Sequence, residues 1–488
     1  MSIPEFKIGW AFTNITPDRP VYLAGQLYNR ISQYVRDPIT ATVLALKSDT
    51  DQAVFISADM VSVPVHVLQR VRAELSDLQD LDVQKISFSV THTHNSSLFG
   101  PEKRLLTNQK YLSADILPLE ETPDDLFTGE EAADFLTGKL VEMIRRAWTT
   151  MRPGGISCAQ DYAAIAFNRR PVFKTENGLQ TVMYGDCSQD HFVSFEGTSD
   201  HSADMIYTWD TSGHLTGVVI VIPCPAQVFE LHQMITADYW SSVRAKVKEK
   251  LGNVPVLPLC GAAGDQNPLD LVRMSKHNKK TLPLWSAQAG EVQRNLDMGE
   301  ECDRIGERIA EAVIRGEKSA RCHVDPNPPF FHDVVSMSLP LRKVTPSEAK
   351  AAKDILEEVH ATHSTENRLT ESEVVRLFET IGIVERWDLQ KQKEFFCFDS
   401  HVMRLGQVAL ATNPFELFCE YGLRLKARSK ASQTIVIQLT DENGGYLPTA
   451  AALAGGSYSS KPASTLCGPE GGDLLVEKTL SAMNRFWR

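Results

Sequence analysis

The chain has no apolar run approaching the roughly 20 residues that a membrane-spanning helix needs, so no membrane span is expected. Its opening, MSIPEFKIGWAFTNITPDRP, has no basic segment followed by an apolar stretch. Nothing there resembles a secretory signal, and a cytoplasmic location is expected. A basic surplus is missing too: 50 Lys and Arg stand against 62 Asp and Glu, a formal charge of −12. That balance argues against nucleic acid and leaves a small molecule as the expected partner. Nine cysteines, an odd number with no CxxC pair, suit reduced thiols better than a disulfide framework. Internal repeats and low-complexity tracts are also absent. With 488 residues, 42% hydrophobic and 23% charged, the chain reads as a single large mixed α/β domain over residues 1–488, its oligomeric state left open.

Periodicity supplies the elements. Strands are expected at 39–46 and 53–57, then a helix over 65–78 behind Pro64 and a strand over 86–90. Residues 98–122, polar and aperiodic, read as a loop over a site. A helix over 129–151 should stop at Pro153-Gly154-Gly155, and 205–209 with 218–222 should form a hairpin. Helix 239–251 leads to a strand over 254–259; 300–318 and 346–385 are helical, the latter as a peripheral layer with a solvated charged face. A strand over 402–410 precedes Asn413-Pro414-Phe415-Glu416, which should open a helix to about 425, and 434–439 is the last strand. Several of these runs end in a polar turn marked by Gly or Pro, where open α/β sheets place ligands.

The most informative exit is Thr91-His92-Thr93-His94 after the apolar run 86–90. Alternation along a strand would project both imidazoles to one side, inviting a metal or a proton shuttle. Asn95-Ser96-Ser97 lacks the Asp-His that would extend the pair into a two-metal HxHxDH site, so its partners must lie elsewhere. By itself HxH is as readily an ordinary strand exit.

Taken in order, these exits resemble the neutral and alkaline, non-lysosomal ceramidases, a family of zinc-dependent amidases. The resemblance runs from Gly9-Trp10-Ala11-Phe12-Thr13-Asn14-Ile15-Thr16-Pro17 through Thr91 to His94, Asn168-Arg169, Gly264 to Pro268 and Pro414-Phe415-Glu416 to Leu466-Cys467-Gly468-Pro469. It implies the fold of the ceramidase catalytic domain, without the C-terminal β-sandwich of such enzymes. It also implies that His92, Glu416 and Tyr446 bind Zn²⁺, and that His94 faces substrate beside Arg169 and Tyr458. Zinc accepts imidazole and carboxylate and keeps a position open for water. Asp59 is a candidate to accept the spare N–H of a ligand histidine, and equally an ordinary strand-end aspartate.

Two positions depart from the family. Cys224-Pro225 stands where a ligand His-Pro is expected, with Asp238 at the family spacing, so the metal site would be completed by Cys224, by His232, or by neither. Asn267 replaces a serine sometimes proposed as nucleophile; asparagine forms no acyl-enzyme but can hydrogen-bond an oxyanion. The leading expectation is a metal-dependent hydrolase in which metal-bound hydroxide attacks an amide or ester-like bond of a small polar molecule. His94 would move the proton, and Tyr458, Arg169 or Asn267 would hold the oxyanion. Metal-assisted C–O bond chemistry on a sugar acid, which Arg169 and Arg170 would suit, is the second reading. A metal- or ligand-binding pseudoenzyme is the third.

Overall fold

Alternating side chains in the long strands bury both faces, and that determines the order of the layers. A computed structural model describes residues 5–99, 110–276 and 298–487. Eight strands follow one another as Val256–Cys260, Leu215–Ile222, Ser202–Asp210, Arg152–Tyr162, Lys7–Asn14, Thr40–Lys47, Gln52–Ala58 and Ile86–Val90. In Thr40–Lys47, Ala41, Val43 and Ala45 join one core while Leu44 and Leu46 join another. The first core is shared with helices Val65–Glu74, Glu130–Thr149, Tyr239–Leu251 and Met298–Ala320. The second is shared with Met403, Leu405, Leu410, Ile435 and Ile437 of a four-stranded sheet, ordered Phe330–Pro340, Phe395–Leu405, Val408–Thr412 and Gln433–Ile437. Beyond it, helices Cys419–Arg428 and Pro469–Asn484 cover the far face. The succession is helices, sheet, sheet, helices, a mixed α/β domain. Among the described residues no helix is long and apolar enough to cross a membrane.

Most expected elements are present, and the departures have physical reasons. Pro153-Gly154-Gly155 does not stop a helix in a loop; it lies inside strand Arg152–Tyr162. A Cβ on Gly154 would collide with the Trp209 carbonyl and one on Gly155 with that of Asp325, so the glycines permit close backbone approach. The expected strand over 402–410 is two arms of a hairpin, turning where Gly406 takes a φ of +63°. The helix expected from Asn413 begins only at Cys419; before it, Glu416–Leu417 forms a short strand paired in parallel with Tyr446–Leu447. The helical layer over 346–385 is three pieces, Pro346–Thr362, Glu371–Arg376 and Phe378–Leu389. Residues 100–109 of the expected 98–122 loop lie outside the described residues.

A buried polar chain ties the two sheets together. His332 Nδ1 bonds the Gln52 carbonyl (2.8 Å), His332 Nε2 meets His401 Nδ1 (2.8 Å), and His401 Nε2 meets Asp441 Oδ2 (2.8 Å). Asp441 also accepts from the backbone N–H of Phe88 (2.7 Å) and from Arg72 (3.0 Å). Burial, helped by neighbouring His401, pushes the His332 imidazole down to about 3. An unfolded histidine takes up its proton near pH 6.5, whereas the folded His332 resists it. Its contribution to stability is therefore complete above that pH and lost progressively as pH falls toward 3. Urea unfolding should show a midpoint that drops between pH 7.5 and 5, before carboxylates titrate, with a smaller drop in His332→Gln.

Candidate active site

Strand Ile86–Val90 is wholly buried, and the chain leaving it turns sharply. His92 has a φ of +62°, so strand alternation does not bring the two imidazoles together as the sequence suggested. A left-handed step does, leaving His92 Nε2 and His94 Nε2 3.4 Å apart. His92 Nδ1 lies 2.6 Å from the Val61 carbonyl. A carbonyl only accepts, so Nδ1 carries a proton and Nε2 is the ring nitrogen turned toward the centre. Asp59, a candidate partner and equally a simple strand-end aspartate, accepts two bonds from Arg244 (2.8 and 3.0 Å).

Glu416 Oε2 sits 3.3 Å from His92 Nε2. Its short strand makes Glu416 the register partner of Tyr446, so the pairing Glu416–Leu417 with Tyr446–Leu447 delivers both side chains to one place. Gly264 passes so close to the Glu416 carbonyl that any Cβ there would clash. Burial opposes ionisation of Glu416, but His92 and the Tyr446 hydroxyl outweigh it and hold the carboxyl below its usual range. Burial raises the Tyr446 hydroxyl well above its usual value against the opposing pull of Arg169.

Outward from this centre the polar side chains close a ring. Arg169 Nη2 donates to Tyr446 Oη (3.0 Å) and to the Gly264 carbonyl (2.9 Å), and its Nη1 donates to Tyr184 Oη (3.4 Å). Asn267 Nδ2 donates to Tyr184 Oη (2.7 Å) and to Gln227 Oε1 (3.3 Å). Gln227 Nε2 stands 2.6 Å from His94 Nε2, and His94 Nδ1 is 3.6 Å from Glu230 Oε2. The Tyr458 ring packs edge-on against Tyr446 at 5.6 Å. His92, His94, Arg169, Asn267, Glu416, Tyr446 and Tyr458 are thus brought together. Tyr184, Gln227, Glu230 and the Val61 carbonyl were not identified from the sequence. Gln227 and Glu230 follow Cys224 by three and six residues in one loop, the only signal that pointed to them.

Other expected residues are elsewhere. Cys224 is not at the centre: its side chain belongs to the helix-side core, with Sγ donating to the Ile165 carbonyl (3.5 Å). Burial raises that thiol well above its usual range, as for a cysteine packed among apolar side chains. His232 does not replace it; its side chain is exposed, its ring edge-on to Phe229. Arg170 is unavailable to an acidic substrate, because it pairs with Glu196 (2.6 Å) and donates to the carbonyls of Tyr458 (2.7 Å) and Gly456 (2.6 Å). Asn267 spends both amide protons on Tyr184 and Gln227, so it supports the site rather than presenting an oxyanion donor. Asp238 caps helix Tyr239–Leu251 and accepts from the Phe229 N–H (3.0 Å), holding the loop that carries Gln227 and Glu230.

Among the described residues, no group of three or more His, Cys, Asp or Glu side chains is poised around a metal position. What converges is an imidazole nitrogen, a carboxylate and a phenol, with a second imidazole beside them, and these donors fit zinc in chemical type.

Two solved structures share this architecture. The neutral ceramidase from Pseudomonas aeruginosa matches with a TM-score of 0.65 at 13% identity, over 99% of this chain and 75% of that one. The chain has the neutral ceramidase fold. A ceramidase complexed with C2 matches with a TM-score of 0.64 at 12% identity, over 98% and 74% of the two chains. No protein-family model and no curated protein sequence matches.

The placing of Cys224 in the core can be tested with cobalt. Protein loaded with Co²⁺ should show no thiolate-to-metal charge-transfer absorption, and its spectrum should be unchanged in Cys224→Ser. A band that disappears in that variant would return Cys224 to the metal.

Proposed function

We propose that the protein is a zinc-dependent hydrolase that cleaves an amide or ester-like bond of a small polar molecule. The observation that carries this reading is the meeting of His92 Nε2 and Glu416 Oε2 at 3.3 Å, with Tyr446 in register beside Glu416. The fold supports it, since the neighbours that share it are ceramidases by name. The hydrogen-bonding groups of Arg169, Tyr184, Gln227 and Asn267 beside the centre would suit a polar substrate.

His92, Glu416 and Tyr446 would hold the metal. Bound there, zinc supplies a Lewis acid that polarises a carbonyl and acidifies water. The protein does the rest with its own groups. Once Gln227 releases its Nε2, His94 takes a proton from the attacking water there and returns it to the leaving nitrogen or oxygen. Arg169 fixes the Tyr446 hydroxyl and spreads positive charge across the site, and Tyr458 offers a hydroxyl where charge develops on the carbonyl oxygen. The second reading, chemistry on an acidic sugar, loses one of its two arginines to Glu196.

Metal content tests the ligand set. Folded His92→Ala and Glu416→Ala should each lose zinc by elemental analysis; a full equivalent retained in both would overturn the site. Turnover tests His94. Against acyl p-nitroanilides and p-nitrophenyl esters, His94→Ala should lose roughly 10²- to 10⁴-fold in rate while keeping its zinc. Unchanged turnover would make His94 a bystander, and loss of zinc would make it a ligand. Wild-type turnover that vanishes in this variant also excludes a pseudoenzyme.

A further inference from the structure

One backbone N–H determines the hydrogen-bonding sense of a whole side of the ring. The N–H of Leu269 lies 2.9 Å from Asn267 Oδ1. A backbone N–H only donates, so the Asn267 atom facing it is the oxygen and the amide nitrogen faces the site. That nitrogen only donates, so the Gln227 atom 3.3 Å from it is the oxygen. Gln227 must then turn its own NH₂ toward His94, where it stands 2.6 Å from Nε2. An imidazole nitrogen receiving that donor carries no proton of its own. The His94 proton is therefore on Nδ1, which looks toward Glu230 Oε2 at 3.6 Å. Glu230 is buried and held in the loop that Asp238 fixes.

We infer that Asn267 and Gln227 are positioning residues that set the tautomer of His94, and that Glu230 is the carboxylate that orients it. The residue that departs from the ceramidase serine thus acts at a distance, through one amide relay, on the group that moves the proton. Under the hydrolase reading, on which this consequence rests, the Gln227 amide holds the Nε2 lone pair at rest and must turn away before Nε2 takes a proton, after which Glu230 steadies the imidazolium. The tautomer itself follows from the hydrogen bonds and requires no assumption about the reaction.

The relay makes a sign-reversing prediction. In Asn267→Asp the backbone N–H of Leu269 is still satisfied, but the second oxygen accepts where the amide donated. Gln227 must flip to donate to it, its oxygen then faces His94, and the proton of His94 moves to Nε2. Gln227→Glu places an acceptor against His94 directly and should do the same, which keeps the test intact if Asn267→Asp fails to fold. The measurement is a two-bond ¹H–¹⁵N correlation spectrum of histidine-labelled protein at an alkaline pH where an ordinary imidazole is neutral, with His94 assigned by its loss in His94→Gln. Wild type should show the Nδ1-protonated pattern, and folded Asn267→Asp or Gln227→Glu the Nε2-protonated pattern. Glu230→Ala should weaken the Nδ1 preference, giving mixed tautomers. An Nε2-protonated wild type, or a pattern indifferent to both relay variants, would overturn the inference. Because the spectrum needs no substrate, failure of the hydrolase reading would appear separately, as absence of turnover with the tautomer as stated.

Discussion

Burial of both faces of the central strands is the constraint on which the rest of this structure depends. Thr40–Lys47 and Leu215–Ile222 feed alternate residues into two cores, so a polar side chain has no solvated face to occupy along either strand interior. Chemistry is displaced to strand ends. Thr91 to His94 follow one edge strand of the eight-stranded sheet, and Cys260 to Pro268 follow the other. Ser57 of the strand Gln52–Ala58 donates to the Pro258 carbonyl, so the two ends of the sheet order approach one another. The candidate site is built where those exits converge.

Several charges that lie inside are paired, which offsets the cost of burying them. Arg244 caps Asp59, Arg170 spans Glu196 and the backbone around Tyr458, and Lys426 bridges Asp200 (2.8 Å) and Asp204 (2.9 Å). None of these arrangements is chemistry in waiting; each anchors a segment that carries a site residue or joins layers. Arg170 shows this most directly. It holds a stretch in which Ser457 and Ser459 adopt φ values of +72° and +63°, and Tyr458 lies between them. Such backbone persists only where surrounding contacts over-determine it.

Much of the fold was legible because it rests on local pattern. The helix at Tyr239–Leu251, the hairpin of Ser202–Asp210 and Leu215–Ile222 and the strand Ile86–Val90 stand close to where periodicity places them. The strand Phe330–Pro340 was missed because its partner Phe395–Leu405 is remote in sequence and its buried positions shift face, from Phe330 and His332 to Met337 and Leu339, which breaks the apolar alternation. The glycines of Arg152–Tyr162 read as a stop signal because their real cause, the carbonyls of Trp209 and Asp325, is tertiary.

By itself the sequence determined the elements with strong periodicity, the order of the polar exits, and, through its resemblance to the ceramidases, which exits to join. It could not decide what each residue faces. The resemblance offered Cys224 as a ligand, yet its sulfur packs in the helix-side core, where a thiol is readily buried. Asp59 follows the strand paired with the one that leads to the histidines, but Arg244, from a helix almost two hundred residues later, claims it, and the Val61 carbonyl fixes His92 instead. The ring from His94 through Gln227, Asn267, Tyr184, Arg169 and Tyr446 to Glu416 and His92 draws on separate segments that no spacing rule connects. Only the tertiary structure decided it, since the donor or acceptor sense of each member is imposed by the neighbour that the fold sets against it.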